Sequence, residues 1–359
     1  MSKTIIRIAG TNGKTAVASY LAAALTVAEY DATANTALSE DGVSEEVIID
    51  LPEDTGRDGA SRGTGDVTVQ IINTLTPDPT NGLGDTPLEI AGNIEKLIRP
   101  GVTVIMNVKD EAANDYLTKL AQERGVKLID ITSEQLKYVR MSPFSTTFDG
   151  IFPEGTIEPA KWEDLHTTMA GRHQCHNILM TVACIRVLED MGLVTVPKVF
   201  LYKGIRTVHF EGQFERLKMD PLFPLFGEVY LINEATNPAA MFAMYQTTFE
   251  IYGNKRVTHI FGMPIMGDAE DFVETFYRLG SPRNMILDSG VEGAVPAAEM
   301  VEALKNHGMQ AETVPSLEEA LDAGRETLES KKAHVCLVIG TKDIVDKARV
   351  IIKKMHNLK

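Results

Sequence analysis

Residues Ile5 to Leu25 read IIRIAGTNGKTAVASYLAAAL, and the way this stretch divides decides the fold. Ile5 to Ala9 is apolar apart from Arg7 and short, which suits a buried strand; from Thr15 onward alanine, leucine and other helix formers dominate. Between them lies GTNGKT, Gly10 to Thr15. A strand feeding a glycine-rich loop that opens a helix is the context a phosphate loop requires. The glycines let backbone amides converge, the helix N-terminus favours an anion, a lysine meets the outer phosphates, and a threonine hydroxyl holds Mg²⁺. Gly10, Thr11, Asn12, Gly13, Lys14 and Thr15 are therefore the expected nucleotide contacts, with Thr15 also a metal ligand. The spacing departs from GxxxxGK[ST], because Ile8 stands at the position of the first glycine.

Working outward, short apolar runs alternate with longer helical patterns. Strands are expected at Thr4–Ala9, Val67–Ile72, Val102–Val108, Val126–Ile131, Glu228–Asn233, Val257–Phe261 and Val335–Ile339. Helices are expected at Thr15–Ala28, Ile94–Ile98, Glu111–Arg124, Gln174–Met191, Pro238–Tyr252, Ala269–Leu279, Pro296–His307 and Leu317–Ser330. This alternation marks an α/β protein with a mainly parallel sheet. Pro52–Asp66 and Thr76–Thr86 are polar, glycine-rich or proline-rich, and read as loops. At 359 residues the chain suits two domains. The change falls near Gly204–Asp220, giving an expected division into residues 1–212 and 213–359.

Composition narrows the function. Fifty acidic against 35 basic residues give a net charge of −15, which opposes a nucleic-acid backbone or an anionic membrane surface. No apolar run reaches the roughly 18 residues of a membrane span, and no signal peptide is evident, so a cytoplasmic location is expected. Cys175, Cys184 and Cys336 form no CxxC pair. His173, Cys175 and His176 fall on different faces of a helix, which argues against zinc.

GTNGKT after the first strand resembles the ATP loop of the Mur ligase superfamily, which includes the folylpolyglutamate synthases, the peptidoglycan ligases and the poly-γ-glutamate ligases. Further segments resemble the family's elements in its order: PLEIAGNIEKLIRPGVTVIMNV (Pro87–Val108), AGRHQCHNILMTVACIRVLEDMG (Ala170–Gly192), EGQFERL (Glu211–Leu217), NEATNPAAM (Asn233–Met241) and HVCLVIGTKDIVDKARVIIKK (His334–Lys354). The resemblance implies a P-loop ATPase domain followed by a smaller Rossmann-like α/β domain. It also implies an ATP- and Mg²⁺-dependent ligase. A small-molecule carboxylate becomes an acyl phosphate, and an amino acid or other amine displaces phosphate. Because the loop begins at residue 10, no N-terminal UDP-binding domain is expected.

By resemblance Lys14 and Glu89 are catalytic, Glu89 also being a metal ligand; an ordinary helix-start glutamate is the competing reading. Asn107 matches a family asparagine, but Ala112 replaces the metal-binding histidine that follows it. Asp110 or Glu111 is the candidate substitute ligand, against a plain exposed helix start. His173 and Asn177 are assigned to the adenine pocket, with helix capping and packing as the alternative. Gln213 replaces the hinge arginine, leaving Arg216 as the candidate phosphate contact. Asn233 replaces the ribose-binding aspartate, and Thr236 replaces a histidine. These departures leave two alternatives beside the amide ligase: a nucleotide-binding module without turnover, and a carbon–carbon ligase closing a ring on a tetrapyrrole precursor. A P-loop kinase fits residues 5–25 and leaves the later segments unexplained.

Overall fold

The computed structural model describes residues 2–35, 45–51, 64–77, 82–218, 229–235, 237–253, 257–262, 264, 269–270, 272–273, 283–291 and 293–358. The chain forms two compact units, one of residues 1–140, 144–168 and 172–209, the other of residues 141–143, 169–171 and 210–359.

In the first unit, β1 (Ser2–Ala9) leads through the glycine loop into α1 (Lys14–Val27). It sits inside a six-stranded sheet with β2 (Asp31–Asn35), β3 (Glu45–Leu51), β4 (Thr64–Asn73), β5 (Thr103–Asn107) and β6 (Leu128–Asp130), in the order β2-β3-β1-β4-β5-β6. β1, β4, β5 and β6 run parallel, while β3 lies antiparallel to both β1 and β2. Every residue of β5 is buried, as expected of a parallel strand covered on both faces. On one face Ile72, Val104 and Met106 pack against Ile90 and Ile94 of α2 (Pro87–Ile94) and Ala113 and Leu117 of α3 (Glu111–Glu123). α4 (Arg172–Asp190) is buried from Gln174 to Ile185 without interruption, which makes it an internal helix. A separate sheet joins β7 (Leu136–Ser142), β8 (Ser145–Ile151) and β9 (Lys161–Thr167), and α5 (Lys198–Thr207) closes the unit.

The second unit has its own six-stranded sheet, ordered β10-β11-β15-β12-β13-β14. Its strands are β10 (Glu215–Lys218), β11 (Val229–Glu234), β12 (Val257–Gly262), β13 (Arg283–Leu287), β14 (Ala311–Val314) and β15 (Val335–Gly340). All pairs are parallel except β10 with β11. Side chains alternate across it as strand geometry demands. Val335, Leu337 and Ile339 join a core with Met241 and Tyr245 of α6 (Pro238–Tyr252) and Met300 and Leu304 of α7 (Ala297–Asn306). Cys336 and Val338 join the opposite core with Leu321 of α8 (Leu317–Glu329) and Val345 and Ile352 of α9 (Lys342–Met355). Edge strand β10 is tied down by Arg349 of α9, whose Nη2 lies 2.8 Å from Glu215 Oε2.

Several elements differ from the sequence reading. The helix expected at Ile94–Ile98 instead spans Pro87–Ile94, because Thr86 and Glu89 form a capping box with Pro87 in the first turn, and only a 3₁₀ turn follows at Glu95–Leu97. Strands β2, β3, β7, β8, β9, β10, β13 and β14 and helices α5 and α9 are not marked by the apolar pattern. Most are short, half-buried or antiparallel, and β7 mixes half-exposed and exposed residues with no buried position. Most of the helix expected at Ala269–Leu279 and residues 52–63 and 78–81 of the two expected loops lie outside the described residues, as does Thr236. Residues 64–66 begin β4.

Candidate nucleotide site

β1 ends at Ala9, and the loop turns on Gly10 (φ 119°) and Gly13 (φ 79°), both in the left-handed region. A Cβ on Gly10 would lie 2.3 Å from the Asn73 carbonyl oxygen; one on Gly13 would lie 2.4 Å from Asn73 Nδ2 and 2.9 Å from Asn177 Oδ1. Glycine is thus required by backbone angle and by space. The loop is pinned to the segment after β4: Thr11 N–H donates to the Thr74 carbonyl at 3.1 Å, Asn12 N–H to Thr74 Oγ1 at 3.1 Å, and Thr76 N–H to Thr11 Oγ1 at 3.0 Å.

α1 starts without a side-chain cap, its N-cap residue being Gly13. The amides of a helix's first turn have no acceptor within the helix, so this end carries concentrated positive potential. Lys14 Nζ folds back to donate to the Gly10 carbonyl at 2.9 Å, which places its ammonium over the loop. Thr15 Oγ1 donates to Glu45 Oε1 at 2.8 Å. Glu45, the first residue of β3, is buried; burial raises its carboxyl above the ordinary carboxylate range, and the Thr15 hydrogen bond and Lys14 charge pull it down.

Beneath the loop runs a chain of buried neutral amides. Asn107 Nδ2 donates to Asn73 Oδ1 at 3.1 Å, Asn73 Nδ2 to Asn177 Oδ1 at 2.9 Å, and Asn177 Nδ2 to Gln174 Oε1 at 3.2 Å. Tyr20 of α1 closes the chain by donating to Gln174 Oε1 at 3.3 Å. Each amide satisfies its neighbour, so the floor is held in one arrangement without charge.

Of the expected residues, Gly10 to Thr15 and Asn177 come together here. His173 adjoins them through Gln174, whose Nε2 lies 3.3 Å from His173 Nε2. Burial, reinforced by the neighbouring His176 and Lys109, lowers His173 to about 4. His176 is also lowered to about 4, chiefly by burial; its Nδ1 donates to the Arg172 carbonyl and its Nε2 faces Ser133 Oγ. Both imidazoles are neutral at pH 7.

Of the expected metal ligands, Glu89 and Asp110 cap helices and Glu111 is exposed. Glu89 is exposed and its Oε2 accepts from the Asp85 and Thr86 amides at 2.9 and 3.2 Å, a capping role. Asp110 is exposed and caps α3 by accepting from Ala113 N–H at 2.9 Å. Glu111 is exposed in the first turn of that helix. In the second unit, Asn233 Oδ1 accepts from Phe214 N–H at 2.9 Å and its Nδ2 donates to the Glu234 carbonyl at 2.7 Å. Arg216 on β10 is half-buried, and burial lowers its guanidinium. The cysteines are buried free thiols, and no cluster of three His, Cys, Asp or Glu side chains suited to a metal occurs among the described residues. No helix among the described residues is long and apolar enough to cross a membrane.

Sequence reasoning missed Glu45, Asn73, Gln174 and Tyr20. A signal existed for Asn73, a polar residue that closes the strand run VTVQIIN directly after Ile71 and Ile72.

No protein-family profile matches the chain. A dihydrofolate synthase/folylpolyglutamate synthase of Bacillus subtilis is 22% identical over 203 residues, 53% of this chain and 42% of that protein, so the match spans less than half of the curated relative. The Mycobacterium tuberculosis folylpolyglutamate synthase solved with ADP superposes with a TM-score of 0.71 at 16% identity, covering 98% of this chain and 90% of that one. The apo form of L. casei FPGS is matched with a TM-score of 0.67 at 13% identity, over 99% of this chain and 91% of that chain. The Thermotoga maritima folylpolyglutamate synthase gives 0.64 at 16% identity, over 99% and 89%. The two α/β units and these superpositions agree that the chain has the fold of the folylpolyglutamate synthases.

Proposed function

We propose that the protein is an ATP-dependent ligase that activates a small-molecule carboxylate as an acyl phosphate and couples it to an amine, releasing ADP and phosphate. The observation that carries this reading is the uncapped start of α1, with Lys14 folded over the loop and the Thr15 hydroxyl facing a buried carboxylate. Such an end holds phosphate oxygens with backbone amides and one lysine ammonium, which a protein of net charge −15 needs locally.

The chemistry is a transfer in two displacements. The substrate carboxylate oxygen attacks the γ-phosphorus and ADP leaves; the amine nitrogen then attacks the acyl carbon, phosphate leaves, and the nitrogen loses a proton. Lys14 supplies positive charge where the β and γ oxygens gain negative charge, and rigid positioning by the loop lowers the entropic part of the barrier. Mg²⁺, when bound, neutralises charge on the same oxygens, and the Thr15 hydroxyl fits it as an oxygen ligand. Asn177 holds the loop's floor, and neutral His173 offers a hydrogen bond without charge beside it.

The Bacillus subtilis relative is named for folate chemistry and one solved relative is an AMPPCP–folate complex, so folate-like acids and glutamate head the candidate substrates. ADP release measured over a panel of acid and amine pairs tests the reading. Acid-stimulated release that Lys14→Ala abolishes supports it; no turnover with any pair, and nucleotide binding that ignores Lys14→Ala, sinks it. One observation favours the module without turnover: the Asn233 amide is engaged within its own unit. ATP binding without acid-dependent phosphate release in a calorimeter and a phosphate assay identifies that case.

A further inference from the structure

Two consecutive acids open β3, and they have opposite surroundings. Strand register places Glu46 beside Arg7, and the pair is satisfied, Arg7 Nη2 lying 2.7 Å from Glu46 Oε1. Glu45, opposite Ile8, points to the other face and is only 6% exposed. Its Oε1 accepts the Thr15 hydroxyl, whereas its Oε2 is buried with no hydrogen-bond partner among the described residues. A buried carboxylate oxygen left without a donor destabilises the fold, so its retention beside a phosphate loop points to a missing positive partner.

On the other flank of the loop the strand ends are neutral. β4 and β5 end in Asn73 and Asn107, whose amides bond each other and Asn177. Glu89 and Asp110 are exposed and occupied in capping their own helices. A hard divalent cation at a nucleotide needs one or two carboxylates, with phosphate oxygens and water completing the shell, so a cluster of acids is unnecessary.

We propose that Glu45 is the carboxylate ligand of the divalent cation that accompanies the nucleotide. Oε1 takes the Thr15 hydroxyl hydrogen, which leaves the lone pairs of Thr15 Oγ1 for the ion, and Oε2 occupies a place on the ion itself. The proposal rests on the nucleotide-site reading above and moves the protein's metal-binding charge from the β4–β5 side of the loop to the β3 side.

The test uses the full chain with AMPPCP and Mn²⁺, following bound Mn²⁺ by electron paramagnetic resonance, metal-free ADP binding by calorimetry in EDTA, and thermal melting. Glu45→Gln is expected to weaken Mn²⁺ binding in the ternary mixture tenfold or more, the size of effect seen when a ligand's support is lost. Metal-free ADP affinity should stay within about twofold. Without metal the variant should melt at or above the wild-type temperature, because a buried carboxylate oxygen without a donor has gone. Wild-type Mn²⁺ affinity in Glu45→Gln overturns the proposal, as does an equal loss of metal-free ADP binding. If Glu45→Gln does not fold, Glu45→Asp carries the test: its shorter reach must weaken Mn²⁺ binding severalfold, and unchanged binding overturns the proposal. A wild-type protein that binds no nucleotide removes the functional reading as well; one that binds Mn²⁺ and AMPPCP regardless of residue 45 removes only Glu45.

Discussion

Each unit contains a strand that runs into a long helix near the start of its sheet, and the two junctions are built in opposite ways. In the second unit β11 leads to α6 through Asn237, whose side chain accepts from Ala240 N–H at 2.9 Å, with Pro238 in the first turn. In the first unit β1 leads to α1 through Gly13, and no side chain caps the helix. One helix start is closed by its own residues, whereas the other is held open by glycines whose missing side chains leave room for the Asn73 and Asn177 amides below. An open helix start forgoes the roughly 1 kcal/mol that a cap contributes. That loss is tolerated where an anion completes the end, which is the physical content of the nucleotide assignment.

The comparison is most severely tested at the lysine. Lys14→Ala should reduce ADP release about a hundredfold or more, in the range found when one donor to developing charge is removed, with little change in melting. Retained turnover would mean that the open end of α1 is not the phosphate site. Next in size is Gly13→Ala, which forces an alanine into a left-handed φ of 79° and puts its Cβ 2.4 Å from Asn73 Nδ2. A loss of about 2 kcal/mol in urea unfolding is expected, together with weaker nucleotide binding. The equivalent position in the second unit should respond differently: Asn237→Ala removes a cap and should cost about 1 kcal/mol, seen as a lower melting temperature. If the two variants cost the same and neither changes nucleotide affinity, the contrast between the junctions is structural only.

The smallest expected effect is in pH. His173 and His176 in the first unit and His259 in the second are held at about 4, below their ordinary 6.5, mainly by burial. The unfolded chain then binds more protons than the folded chain below pH 6.5, so stability falls as pH drops from about 6.5 towards 4. Above that window the histidines contribute no pH dependence. His176→Gln should flatten part of the slope in unfolding free energy measured at several pH values across it. An unchanged slope would show that this imidazole is protonated in the folded protein.

Legibility in the sequence followed the reach of each interaction. The loop Gly10–Thr15 could be read because strand, turn and helix are contiguous and each residue type is demanded locally. The strands β5, β12 and β15 could be read because parallel strands buried on both faces are mostly apolar. The short antiparallel strands could not, since half-buried strands such as β2 carry few apolar residues. Glu89 could be read as an acid at a helix start, yet its acceptor role towards Asp85 and Thr86 emerged only with the turn geometry.

The sequence by itself therefore determined that this is an α/β protein with a glycine-rich strand–loop–helix junction at Gly10–Thr15, because those features depend on neighbours along the chain. Tertiary structure alone decided what surrounds the loop. Antiparallel pairing of β3 with β1 brings Glu45 to Thr15 across 30 positions, and the packing of α4 beside β4 brings Asn177 to Asn73 across 104. No local propensity encodes such distances; they arise when buried strands and helices satisfy their apolar faces, and the polar groups at their ends must then find one another.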